Sequence, residues 1–318
     1  MVTDRQLRRS KAIQRRTGRT FHVATRLLPR RVRHPTYVLY AFFRVADEVV
    51  DDPGEASPAE QRRRLERLRD EALGRRETDD DVLAAFSEVR EEYGIPDEEV
   101  ETFLDAMLTD VEKRRWESYD ELAAYMRGSA AAVGVMMQHV MGVADPDRAR
   151  PHAVALGEAF QLTNFLRDVR EDVEERDRIY LPGDTRERHG VTAADVRRCE
   201  PTEGFRAAMA AELSRAERRY REGVAGIEHL PADCRFAVLY AAVLYAEHHR
   251  LIRARDYDVL SSPPEVGPVR AAWLWARTRW HWRRSRDPVT VFRAVSAVPD
   301  DEGVRARPDR PEGASQAD

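Results

Sequence analysis

The chain has 318 residues, enough for one large domain or two smaller ones with a substantial core. Hydrophobic residues make up 42% and charged residues 35%, which fits a globular protein with a heavily charged surface. The net charge of -4 argues neither for nor against nucleic acid, and no nucleic-acid partner is expected. Lys11 and Lys113 are the only lysines among 53 basic residues and neither lies in a motif, so a catalytic lysine is not expected. Cys199 and Cys234 are too few for a disulfide framework and have no metal-ligand spacing. The basic start MVTDRQLRRSKAIQRR lacks the apolar run of a signal peptide, and no stretch of about 18 apolar residues would cross a membrane. The expected location is cytoplasmic, with peripheral membrane association as an option.

In chain order, apolar residues at three- and four-residue spacing predict helices over about 36–52, 58–73, 80–92, 97–113, 118–143, 150–176, 203–226, 232–256 and 266–284. Prolines, among them Pro35, Pro53, Pro96, Pro146, Pro151, Pro182 and Pro231, are read as punctuation between them. No period-2 strand is evident. The charged stretch 74–81 reads as a loop, and 299–318 as a disordered tail without apolar content. Short connections without a composition break predict one all-α domain over 1–298.

Two segments share an unusual arrangement of acids. Asp47 and Asp51 in VADEVVDD, and Asp168 and Asp172 in NFLRDVREDVEERD, each stand four residues apart in a helical pattern. One turn of spacing points both acids of a pair the same way, which weakens a helix by roughly 0.2–0.5 kcal/mol per pair. The spacing therefore points to a multivalent cation, Mg²⁺ held between two facing helices with a phosphate-bearing ligand completing its shell. The first pair, with Arg44 and Glu48 beside it, also fits a solvated C-terminal turn, where acids oppose the helix dipole. The second adds Asn164 in an i, i+4, i+8 row, has Arg167 alongside, and follows the apolar AFQLTNFL; carboxylates in such surroundings need a partner.

With these acids in place, the chain resembles the squalene/phytoene synthases, the head-to-head trans-isoprenyl diphosphate synthases, and phytoene synthases most. The resemblance runs from about residue 10 to 285 and rests on five ordered blocks: GRTFHVATRLLP, YAFFRVADEVVDD, YMRGSAAAVGVMM, QLTNFLRDVREDVEERDRIYLP and YAEHHRLIRARDYDV. It implies a helical bundle of the isoprenoid-synthase type with a central active-site cavity. It implies that Asp47, Glu48 and Asp51, with Asn164, Asp168 and Asp172, hold Mg²⁺, with Mn²⁺ as the alternative ion, against substrate diphosphates. Glu48 replaces a frequent aspartate and lengthens the reach. Arg44, Gln161 and Arg167 match positions that contact or support the diphosphates. Tyr245 matches a tyrosine facing the reacting centre and Phe21 an aromatic lining it. Gly18 and Thr20 stand where relatives often carry two serines.

Ionising an allylic diphosphate calls for charge stabilisation on the leaving group, and the resulting cation must be shielded from water. Phe21, Tyr40, Phe43, Tyr125, Phe165 and Tyr245 are candidates for such a lining, with ordinary core packing as the other account of each; Tyr180, in RIYLP, and Thr20 join the substrate-binding candidates. Ser129, Ala130, Val133 and Gly134, at helical spacing, fit either close helix packing or a narrow channel wall for a prenyl tail.

Around 271–286, AAWLWARTRWHWRRSR places Trp273 and Trp280 on one face and Trp275 and Trp282 nearly opposite. One face can pack on the bundle; the other is open to a loop, a partner or a membrane surface, with Arg277, Arg279, Arg283 and Arg284 available for anionic head groups.

The expected reaction is condensation of two geranylgeranyl diphosphates to phytoene through prephytoene diphosphate, with release of pyrophosphate. No glycine-rich dinucleotide fingerprint is present, so NADPH is not expected. The alternatives are a squalene or dehydrosqualene synthase acting on farnesyl diphosphate, a class I terpene cyclase, and a non-catalytic scaffold relative. Oligomeric state is not legible.

Overall fold

The fold is seen in a computed structural model that describes residues 2–17 and 23–300. Thr20, Phe21 and Gly18 lie outside the described residues, as does the tail from 301 onward. The first helix, α1 (Asp4–Thr17), has no counterpart among the expected helices. Its inward positions explain why: Gln6, Ser10 and Gln14 are buried one turn apart, so its buried face carries polar residues where apolar ones are sought. Gln14 Nε2 donates to Thr25 Oγ1 at 3.2 Å.

Helices α2 (Arg30–Asp51), α3 (Pro58–Ala72), α4 (Asp81–Tyr93) and α5 (Asp97–Asp110) follow, three of them close to expectation. Ser57 and Glu60 form a capping box at α3, and Asp80 caps α4 while Gly94 ends it at φ 62°. The exception is α2, which starts ahead of Pro35 instead of after it. Proline removes the N–H that would reach the Arg31 carbonyl, and the Tyr93 hydroxyl donates to that carbonyl at 3.1 Å. Pro151 is likewise internal, sitting within α8 (Pro146–Arg167), whose N-cap Asp145 accepts from the Arg148 N–H at 3.1 Å.

The expected helix over 118–143 is a composite: α6 (Tyr119–Met126), a π-helical turn (Arg127–Ala131) and α7 (Ala132–Met141). The expected helix over 150–176 bends at Asp168 (φ -103°, ψ 16°), where α8 passes into α9 (Val169–Arg176). Backbone bonding survives the bend, Asp168 N–H to Asn164 O and Asp172 N–H to Asp168 O, both at 2.9 Å. Two short helices, α10 (Gly183–Arg188) and α11 (Ala193–Arg197), lead to α12 (Glu203–Ala225), a 3₁₀ turn (Gly226–His229) and α13 (Ala232–Ala254). The last two are α14 (Pro268–Arg284) and α15 (Pro288–Val295); the latter was not expected, although Asp287 caps it ahead of a proline at its first position. The only β feature among the described residues is an isolated parallel bridge between Arg115 and Ile179, so the all-α expectation holds.

Two buried apolar clusters share α8, which contributes Leu162, Phe165 and Leu166 to one and Leu156 and Ala159 to the other. The helix is approached closely from two sides. A Cβ on Gly157 would lie 2.7 Å from the Ala130 carbonyl oxygen, and one on Gly134 would lie 2.6 Å from the Ala153 oxygen. From α12, a Cβ on Gly223 would meet Leu156 Cα at 2.7 Å. These glycines let three helices crowd around α8, so close packing accounts directly for Gly134. Among the described residues no helix is long and apolar enough to cross a membrane.

Helix propensity alone favours Gly157→Ala by about 1 kcal/mol. The contact with Ala130 predicts the reverse, a loss of about 1–3 kcal/mol from overpacking, measurable by urea denaturation. A neutral or stabilised variant would contradict the close crossing.

Candidate active site

A cavity of ≈ 1330 Å³ runs beside α2 and α8. On α2 its lining descends by turns through Thr36, Tyr40, Phe43, Arg44, Asp47 and Asp51; on α8 and α9 it descends through Ala149, Ala153, Gly157, Gln161, Asn164, Asp168 and Asp172. Thr36 to Asp51 spans about 22 Å at 1.5 Å per residue. Both walls thus change together, from small and apolar residues to acids and amides. The regular helical repeat of α2 and α8 keeps each row on one face.

Around the acidic end, Asp47, Asp51, Asp110, Asp168, Glu171 and Asp172 face Arg44, Arg167, Arg176 and Arg178, six acids against four arginines. Arg167 forms a fork on Asp168, with Nε to Oδ1 at 2.7 Å and Nη2 on Oδ2. Arg178 Nη1 donates to Asp51 Oδ1 at 2.7 Å, and its Nη2 to the Asp110 carbonyl at 3.2 Å. Arg176 links the walls, with Nη1 to Asp172 Oδ1 at 3.2 Å and Nε 3.6 Å from Asp51 Oδ2. Arg44 is looser, 4.0 Å from Asp47 and 3.7 Å from Glu48.

The acids are not fully compensated. Burial, opposed by Arg176 but reinforced by Asp168, Glu171 and Asp51, pushes the Asp172 carboxyl up to about 8. Burial and Asp51 push Asp47 up to about 7, although 37% of its side-chain surface faces open space and solvent there tempers the shift. Burial also pushes Asp110 up to about 6, against the pull of Arg178 and Tyr125. Tyr125 Oη donates to Asp110 Oδ2 at 2.6 Å, while Asp110 Oδ1 is buried without a hydrogen-bond partner among the described residues. An orphaned carboxylate oxygen beside acids whose pKa burial raises marks a deficit of positive charge, which a divalent cation fits. Among the described residues no three His, Cys, Asp or Glu side chains converge as a self-sufficient metal cage.

Asp47, Asp51, Asn164, Asp168 and Asp172 all line this cavity, as do Arg44, Gln161, Arg167, Tyr40, Tyr125, Tyr180 and Tyr245. Tyr180 stacks on Phe165 with ring centroids 3.8 Å apart and on Trp116 at 4.5 Å. Tyr245 packs 4.7 Å from Phe160, and burial raises its hydroxyl pKa. Ala130, Val133 and Gly134 line the apolar part, so Gly134 serves both the helix crossing and the wall. Glu48 is not part of the lining; it stands outside, within reach of Arg44.

Sequence reasoning missed Asp110, Arg176, Arg178 and His248. Asp110 is a lone acid ending α5, and its only signal is an acid in a last turn that lacks a basic residue. Arg178 and Tyr180 are positioned by the return of the RIYLP segment, where the Ile179 N–H bonds Arg114 O and the Gly183 N–H bonds Trp116 O, both at 2.9 Å. His248 lines the cavity, its pKa pushed down to about 4 by burial and by Arg167, so it is neutral at pH 7.

The chain matches the squalene/phytoene synthase family profile over residues 14–285. It is 37% identical to a phytoene synthase of Rhodobacter capsulatus over 270 residues, 83% of this chain and 78% of that protein. It is 34% identical to a phytoene synthase of Cereibacter sphaeroides, covering 95% of this chain and 88% of the relative. Among solved structures it superposes on a ligand-bound dehydrosqualene synthase with a TM-score of 0.80 at 26% identity, covering 88% of this chain and 98% of that one.

Asp47 and Asp172 titrate higher in the folded than in the unfolded chain and His248 lower, so the two effects oppose each other below about pH 6.5 and only the carboxyls hold extra protons between about pH 6.5 and 8. In chelator, stability therefore falls as pH rises through that window, by more than about 1.4 kcal/mol. Added Mg²⁺ raises the Tm more at pH 8 than at pH 5. Calorimetry showing stability that rises with pH across that window would contradict the charge deficit.

Proposed function

This chain belongs to the squalene/phytoene synthase family, and from that premise we propose that it joins two geranylgeranyl diphosphates head to head to form phytoene. The observation that carries the reading is the pair of acid rows on facing walls of one long cavity that turns apolar along the same two helices. Its ≈ 1330 Å³ exceeds the roughly 300–1,000 Å³ of an ordinary ligand pocket, which favours two substrates over one.

Asp47 and Asp51 from α2, with Asn164, Asp168 and Asp172 from α8 and α9, would hold Mg²⁺, with Mn²⁺ as the alternative ion; Glu48 reaches the site only if its side chain turns inward. When bound, the ion neutralises charge on the diphosphate as it leaves. Arg44, Arg167, Arg176 and Arg178 supply guanidinium donors for the same oxygens, each released from a carboxylate as the ligand enters. Gln161 offers an amide, and Thr20 and Phe21 complete the expected substrate contacts.

In the first half-reaction the C1–O bond of one substrate breaks, C1 joins the C2–C3 double bond of the other, and proton loss gives prephytoene diphosphate. In the second, that diphosphate departs, the cyclopropane rearranges, and loss of a proton gives phytoene. Tyr40, Phe43, Tyr125, Phe165, Tyr180 and Tyr245 wall the cationic intermediates from water, and ring faces favour a nearby cation. Tyr245 stays protonated at neutral pH, so it shields the centre without adding charge. Ala130, Val133 and Gly134 leave room for the prenyl tails. The departing diphosphate can itself take up the protons that are lost.

Likeness to a dehydrosqualene synthase favours a second reading, the same chemistry on farnesyl diphosphate. The sequence relatives tip the balance, since phytoene synthases are matched at 37% and 34% identity against 26% for that structure. On α14, Trp273 and Trp280 stand 44% and 51% exposed on one face; of the pair expected to pack opposite, Trp282 is buried but Trp275 is 41% exposed, so indole surface is open on both faces, which supports peripheral contact with a membrane surface into which a C40 hydrocarbon would pass.

With Mg²⁺, radiolabelled geranylgeranyl diphosphate is expected to yield phytoene and pyrophosphate, with no dependence on NADPH. Turnover of farnesyl diphosphate alone would overturn the chain-length assignment, and no pyrophosphate from either substrate would overturn the enzyme. Asp168→Ala is expected to lower kcat by at least about a thousandfold, a loss of about 4 kcal/mol in transition-state stabilisation, with the helical circular dichroism unchanged. Retained activity would contradict the clamp.

A further inference from the structure

Away from the cavity, four arginines converge on a hollow of ≈ 450 Å³ between α13, α14 and the chain following α15. Arg250 and Arg253 come from α13, Arg270 and Arg277 from α14, and Ser296, Ala297 and Pro299 close the rim. Its floor is Glu247, whose side chain is 2% exposed. Glu247 receives Arg250 Nε at 2.5 Å and a fork from Arg270, with Nε at 2.9 Å and Nη2 at 3.1 Å. Arg253 turns away to Glu217, a carboxylate also bonded by His249 Nδ1 at 3.2 Å. Arg277 has no carboxylate partner among the described residues; its Nη2 donates to the Ala294 carbonyl at 2.7 Å.

Four guanidinium groups against Glu247 and Glu217 leave two positive charges uncompensated among the described residues. Trp273 fixes two of them: Arg270 lies 4.2 Å and Arg277 5.1 Å from its ring centroid. The Nη atoms of Arg250 and the Nε and Nη1 of Arg277 make no hydrogen bond to a described residue. Planar forks held in place, surplus positive charge and a concave shape together match tetrahedral phosphoryl oxygens.

We infer that this arginine hollow is a second anion site, taking the phosphoryl group of a free diphosphate or of a phospholipid head group. It shares a wall with the catalytic cavity: on α13 His248 lines the cavity and Glu247 the hollow, and on α14 Ala271 lines the cavity and Arg270 the hollow. An anion bound here bears on the helices that enclose the substrate, without using the aspartates. The inference does not rest on the catalytic assignment.

The test uses the full chain in EDTA, so that the aspartate-lined cavity has no cation with which to hold an anion. Inorganic diphosphate is titrated against tryptophan fluorescence, and vesicles of phosphatidylcholine with or without phosphatidylglycerol are sedimented with the protein. The inference expects at least one of these anions to bind, and binding to weaken about tenfold or more in Arg250→Ala/Arg277→Ala. The fluorescence response disappears in Trp273→Phe. Binding of diphosphate identifies a free-anion site, and arginine-dependent sedimentation restricted to phosphatidylglycerol identifies a head-group site. If the double variant does not fold, Arg277→Ala alone carries the comparison, since that side chain gives up one carbonyl bond. Binding of neither anion, or binding unchanged in the arginine variant, overturns the site. Asp168→Ala should bind as wild type does, so failure here and failure of the catalytic reading are separable.

Discussion

Three helices end in carboxylates at the same place. Asp51 is the last residue of α2, Asp110 the last of α5, and Asp168 the residue that terminates α8. Each helix C-terminus already carries roughly half a negative charge, so an acid there is disfavoured by about 0.3–1 kcal/mol or more once partly buried. Neither α2 nor α5 has a basic residue in its last turn to offset this. The end of the cavity is therefore negative twice over, from its side chains and from the backbone that presents them. The fold tolerates this through Arg176 and Arg178, which reach Asp51 from the segment after the second acid row.

That constraint organises the remainder. For the two acid rows to face one ligand, α2 and α8 must flank one cavity along much of their length, and the glycines at the α8 crossings set how closely its neighbours approach. Because the same helices continue past the acids, the charged wall runs directly into the apolar wall. Tyr180 and Phe165 stack on each other in the cavity lining, and Trp116 stacks on Tyr180 from behind the lining. Under the proposed function, a cation would answer the acids and a diphosphate the arginines that the acids release.

Most of the helices and both acid rows were legible, because apolar periodicity and four-residue spacing are local signals. What escaped was non-local or polar. Helix α1 buries Gln6, Ser10 and Gln14, so a search for apolar positions passes over it. Pro35 and Pro151 read as breaks, yet both sit early inside helices, where the missing N–H affects a single carbonyl. Asp110 joins the site only through the packing of α5, and Arg178 only through the return of its segment to Arg114. Glu48 matched an acid motif by sequence but stands outside the cavity lining, since its position on α2 is turned from the face that carries Asp47 and Asp51.

The central claim is that opposing acid rows bind a diphosphate through divalent cations. Its most direct test is anomalous diffraction from crystals holding Mn²⁺ and a non-ionisable prenyl thiodiphosphate. The account predicts manganese peaks in the cavity, ligated on one side by Asp47 or Asp51 and on the other by Asn164, Asp168 or Asp172, with the diphosphate between them. Diphosphate bound in the cavity with no manganese peak, or manganese away from both rows, would contradict it.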